Sequence, residues 1–399
     1  MKNDRTKCTI RIAFIRIGGH PWTGGQNYLL NLLGILSRYA RQEIQPVVFT
    51  GTDCPREEIE ALSVFEGAQV VQTPRFTSGP HHLEMACSLL LGHDPTTAEL
   101  FRQHAIDVVF EAAQYFGWRF QIPAIAWIPD FQHRYLPEMF SRLYRLKRNF
   151  GQWLQIRSGR SIMVSSKDTH RTCEQFYPNA CKRIHTVSFS ILPQTQPSLK
   201  KARKIARGYG LPKSFFYMPN QFWRHKNHLL VIRALEILRK RGCGVVVVAS
   251  GQPLDPMAPG HFDALQKIVI ESGLEKHFRI IGMIPRNHIF SLMRVCTALL
   301  NPSLFEGWST TVEEARNLGT QMLLSDLPVH KEQMGRNAVY FDRLSAEDLA
   351  NKLAKYMAFA LGKRKKTIAS AQAEANRRAV KYARQFVKLV RETALRSSR

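Results

Sequence analysis

Two carboxylates, a flexible loop and a helix start fall within a single turn of chain between Asn301 and Gly319, in the run Asn301-Pro302-Ser303-Leu304-Phe305-Glu306-Gly307-Trp308-Ser309-Thr310-Thr311-Val312-Glu313-Glu314. The combination has the make-up of an active-site loop. Thr297 to Leu300 is an apolar run of strand type, so Glu306 lies in the loop after a strand. Thr310 with Glu313 has the spacing of a capping box, and Gly319 stands where a helix would stop. Glu314 then falls one turn into the helix and points back toward the loop. Free N–H groups at such a helix start bind an anion, most naturally a phosphate. The plain alternative is a capped surface helix whose acidic first turn favours its dipole.

Other loops carry candidate residues at comparable places. Thr23-Gly24-Gly25-Gln26-Asn27 follows a strand, and glycines there let a backbone approach a phosphate or sugar closely, or simply make a turn. Pro219-Asn220-Gln221-Phe222-Trp223-Arg224-His225-Lys226-Asn227 follows another strand and is basic. Ala126-Trp127-Ile128-Pro129-Asp130-Phe131-Gln132-His133 ends a strand with an acid and a histidine close together. There Asp130 could equally cap the next segment, and His133 could be a structural hydrogen-bonder.

The elements that must position these loops alternate. Thr9 to Ile17 is a β-branched strand, broken by the glycine loop from Gly18 to Gly25 before a helix from Gln26 to Tyr39. Further short apolar strands are predicted at 46–50, 68–72, 107–110, 124–128, 161–165 and 183–187, with intervening segments long enough for helices. A second series runs through strands 215–218, 244–250, 278–281, 297–300, 321–324 and 338–341, with helices 227–241, 261–272, 286–295 and 346–361 between or after them. Alternation of this kind predicts parallel sheets covered on both faces. Doubly wound sheets bind ligands at the carboxyl ends of their strands, which is where the candidate loops fall. The expected division is 1–192, a Rossmann-like acceptor-side domain; 193–212, a linker; 213–362, a second Rossmann-like domain; and 363–399, a basic helix with an apolar stripe through Ala379, Ala383, Phe386 and Val390.

With 57 basic against 31 acidic side chains the chain carries a formal charge of +26, which implies an acidic partner. The basic residues concentrate at 134–160, 200–213 and 363–399. In the first cluster Arg142, Arg145, Lys147, Arg148, Arg157 and Arg160 interleave with Leu143, Tyr144, Leu146, Phe150 and Trp153, the composition of an interfacial segment that could meet an anionic membrane surface. The same stripe could instead pack on the sheet, as in any covering helix. No apolar run approaches a membrane-spanning length and no secretory signal is visible, so the expected location is cytoplasmic, or peripheral on the inner face of the cell membrane. The seven cysteines have no C-x-x-C spacing and read as reduced thiols. There is no D-x-D triplet, Walker A sequence or zinc spacing, so no metal and no cofactor are expected, and no nucleic-acid motif accompanies the basic runs.

The spacing Glu306-Gly307 and, after it, Glu314-Ala315 resembles the signature of the retaining glycosyltransferases of family 4 (glycosyl transferases group 1), most clearly from about Phe215 to Asp342. The resemblance implies an α/β GT-B fold, two doubly wound Rossmann-like domains facing a central cleft, and a nucleotide-sugar donor. Glu306 would hold hydroxyls of the donor sugar, the backbone around Gly307, Trp308 and Ser309 would meet sugar and phosphate, and Glu314 would bind the ribose. Lys226 would bind the diphosphate, Gly24 and Gly25 would face it, and Met283 and Ile284 would line the nucleobase. The family's diphosphate-binding arginine is missing: Asn220 or Gln221 stands in its place, and either Arg224 supplies the charge or an amide holds the phosphate by a neutral bond. Pro129 replaces a histidine of the family's histidine-aspartate pair, leaving Asp130 to match and His133 to take over.

The implied function is transfer of a sugar, a hexose with mannose as one candidate, to a glycan or lipid-linked glycan in surface polysaccharide assembly of the O-antigen or lipopolysaccharide type. A GT-B-fold sugar-nucleotide epimerase and a non-catalytic nucleic-acid-binding protein are the alternatives.

Overall fold

The structure is a computed structural model of the 399-residue chain, and it describes residues 9–16, 23–79, 85–112, 114–193, 196–359 and 368–396. The expected loop at 18–22, and the segment that joins the second domain to the C-terminal helix at 360–367, lie outside the described residues.

Two all-parallel sheets organise the chain. The first, in the order β3-β2-β1-β4-β5-β6-β7, is built from β1 (Ile10–Ile15), β2 (Ile44–Thr50), β3 (Gln69–Gln72), β4 (Val108–Glu111), β5 (Ala124–Trp127), β6 (Ser161–Val164) and β7 (Ile184–Thr186). The second has the order β10-β9-β8-β11-β12-β13, from β8 (Phe216–Met218), β9 (Val247–Ala249), β10 (Phe278–Ile280), β11 (Ala298–Asn301), β12 (Met322–Ser325) and β13 (Val339–Phe341). Helices fill most of the crossovers that parallel pairing requires, while between β4 and β5 no helix is found among the described residues. The order reverses between β1 and β4 in one sheet and between β8 and β11 in the other.

Side chains of the second sheet divide by the strand period of two. Phe216, Met218, Val247, Ala249, Leu300 and Leu323 bury on the face covered by helices His228–Lys240 and Ala346–Phe359. Tyr217, Val248, Leu299, Met322 and Leu324 bury on the other, against helices Leu199–Gly208, Arg286–Val295 and Thr310–Asn317. Both faces being covered explains why these strands read as continuous apolar runs.

The chain forms two compact units that are not continuous in sequence. One comprises 1–131, 142–192 and 377–399; the other comprises 132–141 and 193–376. Within the first, the stripe expected on the last helix, Ile368–Arg396, is buried: Phe386 lies 6.3 Å from Phe14 and 6.0 Å from Phe110 between ring centroids, and Tyr382 Oη donates to Tyr28 Oη at 3.0 Å.

Two local expectations need correction. The stretch that read as linker contains the helix Leu199–Gly208, because Ser198 caps it through the Lys201 N–H and the small residues Ala202 and Ala206 let it bury one side. The capping box does not form, because the N-cap falls one residue earlier and Val312, not a glutamate, stands at the third helical position. Ser309, in extended backbone, is the N-cap and accepts from the Val312 N–H, while Thr310 is already helical and Glu313 is buried within salt-bridge distance of Arg316.

Candidate functional site

The loops after β8 and β11, neighbours at the reversal of strand order, bring Lys226 and Glu306 together. Lys226 Nζ donates to Glu306 Oε1 at 2.7 Å, and Ser303 Oγ donates to the same oxygen at 2.7 Å. Backbone and side-chain bonds stitch the two loops: Leu304 N–H donates to the His225 carbonyl at 2.8 Å, and Asn227 Nδ2 reaches the Pro302 carbonyl at 3.2 Å and that of Arg343 at 3.0 Å. Asn227 adopts φ of 57°, a left-handed conformation that asparagine tolerates better than most residues. Burial by itself would raise the Glu306 carboxyl. The Lys226 ammonium, with His225 contributing less, outweighs this and holds Glu306 below the ordinary carboxylate range.

Behind Glu306 a buried polar network fixes the loop. Asn301, at the end of β11, donates through Nδ2 to Ser309 Oγ at 3.0 Å and accepts from the Ser303 N–H at 3.2 Å, and its Oδ1 lies 2.7 Å from Ser303 Oγ, whose single proton it shares with Glu306. Gln333 clasps the Ser309 backbone, accepting from its N–H at 3.3 Å and donating to its carbonyl at 3.0 Å. Ser325 Oγ donates to the Ser303 carbonyl at 2.8 Å. His330 bonds through Nδ1 to the Ser325 carbonyl at 3.0 Å, so that nitrogen carries the proton, and Nε2 is a buried acceptor with no partner among the described residues. Burial lowers the His330 pKa, against the opposing effect of Glu306, and keeps the ring neutral.

Glu314 is tied elsewhere, to Arg286 NH2 at 3.2 Å, at the start of the helix that follows Met283 and Ile284. Burial raises its pKa, and Arg286 only partly offsets this. Ile284 packs into the core against this helix and Met283 is exposed. Asn220 is buried at the end of β8 with neither amide atom hydrogen-bonded to a described residue, and the indole N–H of Trp308 is likewise unpartnered. The site therefore contains a cation, a fixed carboxylate, a helix start and several unspent buried hydrogen-bonding atoms, which together suit a polyhydroxylated anion.

The remaining candidates fall as follows. Gln221 occupies the loop after β8, where its carbonyl accepts from the Trp223 N–H at 2.8 Å. Arg224 donates from its guanidinium to the Met139 carbonyl at 2.8 Å and from its backbone N–H to Asp255 at 2.8 Å. Gly24 and Gly25 lie in the first turn of helix Thr23–Tyr39, not in a loop ahead of it. Asp130, in the first unit, pairs with Arg148 at 2.8 Å, while His133 is buried in the short helix Gln132–Tyr135 of the second. Sequence reasoning assigned no role to Asn301, Ser303, Ser325, His330 or Gln333. Only Asn301 and Ser303 carried a signal, being polar residues directly at the end of an apolar strand.

Residues 202–374, just under half of the chain, match the family described as glycosyl transferases group 1. A comparison with curated protein sequences finds no match. Among solved structures, a glycosyltransferase from Rickettsia africae is 14% identical, with 97% of this chain and 98% of that chain covered and a TM-score of 0.71. HepE from Anabaena in complex with UDP and glucose is 19% identical, with 95% and 98% covered and a TM-score of 0.67. The lipopolysaccharide outer core galactosyltransferase WaaB is 16% identical, with 98% and 100% covered and a TM-score of 0.61. The fold is GT-B. In GT-B terms the second sheet, with Lys226, Glu306 and Glu314, falls inside the matched family segment, and the first sheet lies outside it.

Proposed function

We propose that this protein is a retaining glycosyltransferase of family 4 that moves a hexose from a nucleotide-sugar donor to a glycan or lipid-linked glycan. The observation that carries the reading is the Lys226–Glu306 pair at the reversal of strand order, beside the start of helix Thr310–Asn317. HepE has been solved with UDP-glucose, which supports a donor of that chemical type. Lys226 neutralises the diphosphate as negative charge develops on it, and Glu306, kept ionised, accepts hydrogen bonds from sugar hydroxyls. Glu314 accepts from the ribose, and Met283 and Ile284 flank the base. Gln221, Gly24, Gly25, Gly307, Trp308 and Ser309 complete the donor contacts, and Asp130 and His133 act on the acceptor side.

In the reaction the bond from the anomeric carbon to the diphosphate oxygen breaks and a bond to the acceptor oxygen forms on the same face. The acceptor proton passes to the departing diphosphate, and no metal takes part. The family match, and a likeness that includes the lipopolysaccharide enzymes WaaB and WaaG, favour transfer over the epimerase and nucleic-acid alternatives and support surface polysaccharide as the setting.

A thermal-shift screen against nucleotide sugars tests the reading, since a ligand that binds only the folded state raises its apparent stability. One or more donors should stabilise the wild type, and Glu306→Ala and Lys226→Ala should lose both that shift and transfer. Unchanged turnover in these variants would sink the assignment.

A further inference from the structure

The helix Arg142–Arg157 is inside out. Its inward side is largely polar, with Ile156 near its end the one buried apolar side chain: Arg148 pairs with Asp130, Gln152 Nε2 donates to the Asp130 carbonyl at 3.2 Å, and Gln155 Nε2 donates to the Gln114 carbonyl at 3.1 Å. Its outward side is apolar. Leu143 is 77% exposed, Leu146 67%, Phe150 52% and Trp153 44%, at spacings of three, four and three that place them in one stripe along the helix. Phe150 and Trp153 stack at 6.0 Å, and the Arg157 guanidinium lies over the Trp153 ring at 5.5 Å, so the outer face is ordered. The helix contains five cations and no acid. A covering helix that packed its stripe on the sheet would show the reverse arrangement.

An exposed leucine is ordinary, but four large apolar side chains in one stripe flanked only by positive charge are not. We propose that this face seats in an anionic lipid surface, with Leu143, Leu146, Phe150 and Trp153 entering the headgroup boundary and Arg142, Arg145, Lys147 and Arg157 meeting lipid phosphates. Charge selects this occupant. A second copy of the same helix would bring four further outward cations against these four, Arg148 being paired inward with Asp130, whereas an anionic leaflet neutralises them. A nucleic acid would satisfy the charge and leave the aliphatic stripe in water. The proposal does not depend on sugar transfer, and its readout does not use it.

The test is co-sedimentation of the full chain with phosphatidylcholine vesicles, with and without phosphatidylglycerol, at near-physiological salt. Binding should require the anionic lipid. Removing two helix cations as Arg145→Gln with Lys147→Gln should weaken partition about fivefold per charge. Leu146→Ser with Phe150→Ser should weaken it roughly tenfold or more. The pair Lys200→Gln with Lys204→Gln, exposed on another helix, should leave it nearly unchanged. Because every substituted residue is solvent-facing or nearly so, unfolding temperature should hold in all variants. The proposal is overturned if anionic vesicles fail to bind, if the control pair weakens binding as much as the helix pairs, or if the serine pair has no effect. It is equally overturned if the serine pair instead abolishes a concentration-dependent dimer, or if the chain binds a single-stranded oligonucleotide at this salt and no vesicle.

Discussion

Lys226 and Glu306 stand eighty positions apart in sequence, and their charged atoms stand 2.7 Å apart in the fold, with both side chains largely withdrawn from water. Each compensates the desolvation of the other, so the site carries almost no net charge from this pair until a ligand redistributes it.

Removing either partner alone should therefore cost more than removing both. Lys226→Met and Glu306→Gln should each lower unfolding stability by about 2 to 4 kcal/mol, while the double variant should recover a large part of the loss. Urea unfolding of the four proteins gives the coupling directly. Strict additivity would show that the pair is not a unit.

His228 supplies a pH dependence. It is fully buried, stacks on Phe222 at 4.3 Å, and burial pushes its pKa down to about 3. The unfolded chain takes up the proton near pH 6.5 and the folded one does not, so stability is complete above that pH and falls on acidification, by about 1.4 kcal/mol per unit, until the folded value is reached. His228→Phe, which keeps the stacking, should show a shallower loss between pH 6.5 and 4. Equal slopes in urea titrations would exclude His228 as the source.

The Glu306 carboxyl works in the same direction but lower in pH. Its folded pKa lies below the unfolded one, so its contribution is present above the ordinary carboxylate range and disappears as pH falls through the folded value. Glu306→Gln should remove this component, leaving a flatter acid limb in the unfolding profile. Donor binding should fail at a higher pH than this, because the raised pKa of Glu314 protonates it first. Binding titrations of wild type and Glu314→Gln against pH separate the two carboxylates.

Gly251 is where the backbone of one strand end meets the next. A Cβ there would lie 2.4 Å from the Asn220 carbonyl oxygen and 2.9 Å from Gln221 Cα, and its φ of +154° is unfavourable for other residues. Gly251→Ala should cost about 2 kcal/mol or more and shift the loop that carries Lys226, weakening nucleotide-sugar binding along with stability. A variant with wild-type thermal stability would contradict this.

The strands and most helices were legible because each sheet is buried on both faces, which turns its strands into short apolar runs set off by glycine, proline and polar residues. The Leu199–Gly208 helix was not, because its buried residues are two alanines among lysines and arginines, and alanine carries little hydropathic contrast. At the site, the two glutamates and Lys226 stood out by spacing and family resemblance. His330 and Gln333 were invisible for a different reason. They reach the loop from the element after β12, and sequence distance hides what parallel strand order brings side by side. The outward turn of helix Arg142–Arg157 was undecidable from periodicity, since an amphipathic pattern has the same period whichever way it faces.

The first sheet's core is closed by residues that are made after the whole of the second sheet. Tyr382 and Phe386 pack with Tyr28, Phe14 and Phe110, so roughly the first half of the chain leaves the ribosome with an open apolar face and stays so through synthesis of the entire second sheet. The two units cannot mature one after the other, and a chain cut short before Arg377 loses a wall of its first core and not a dispensable tail.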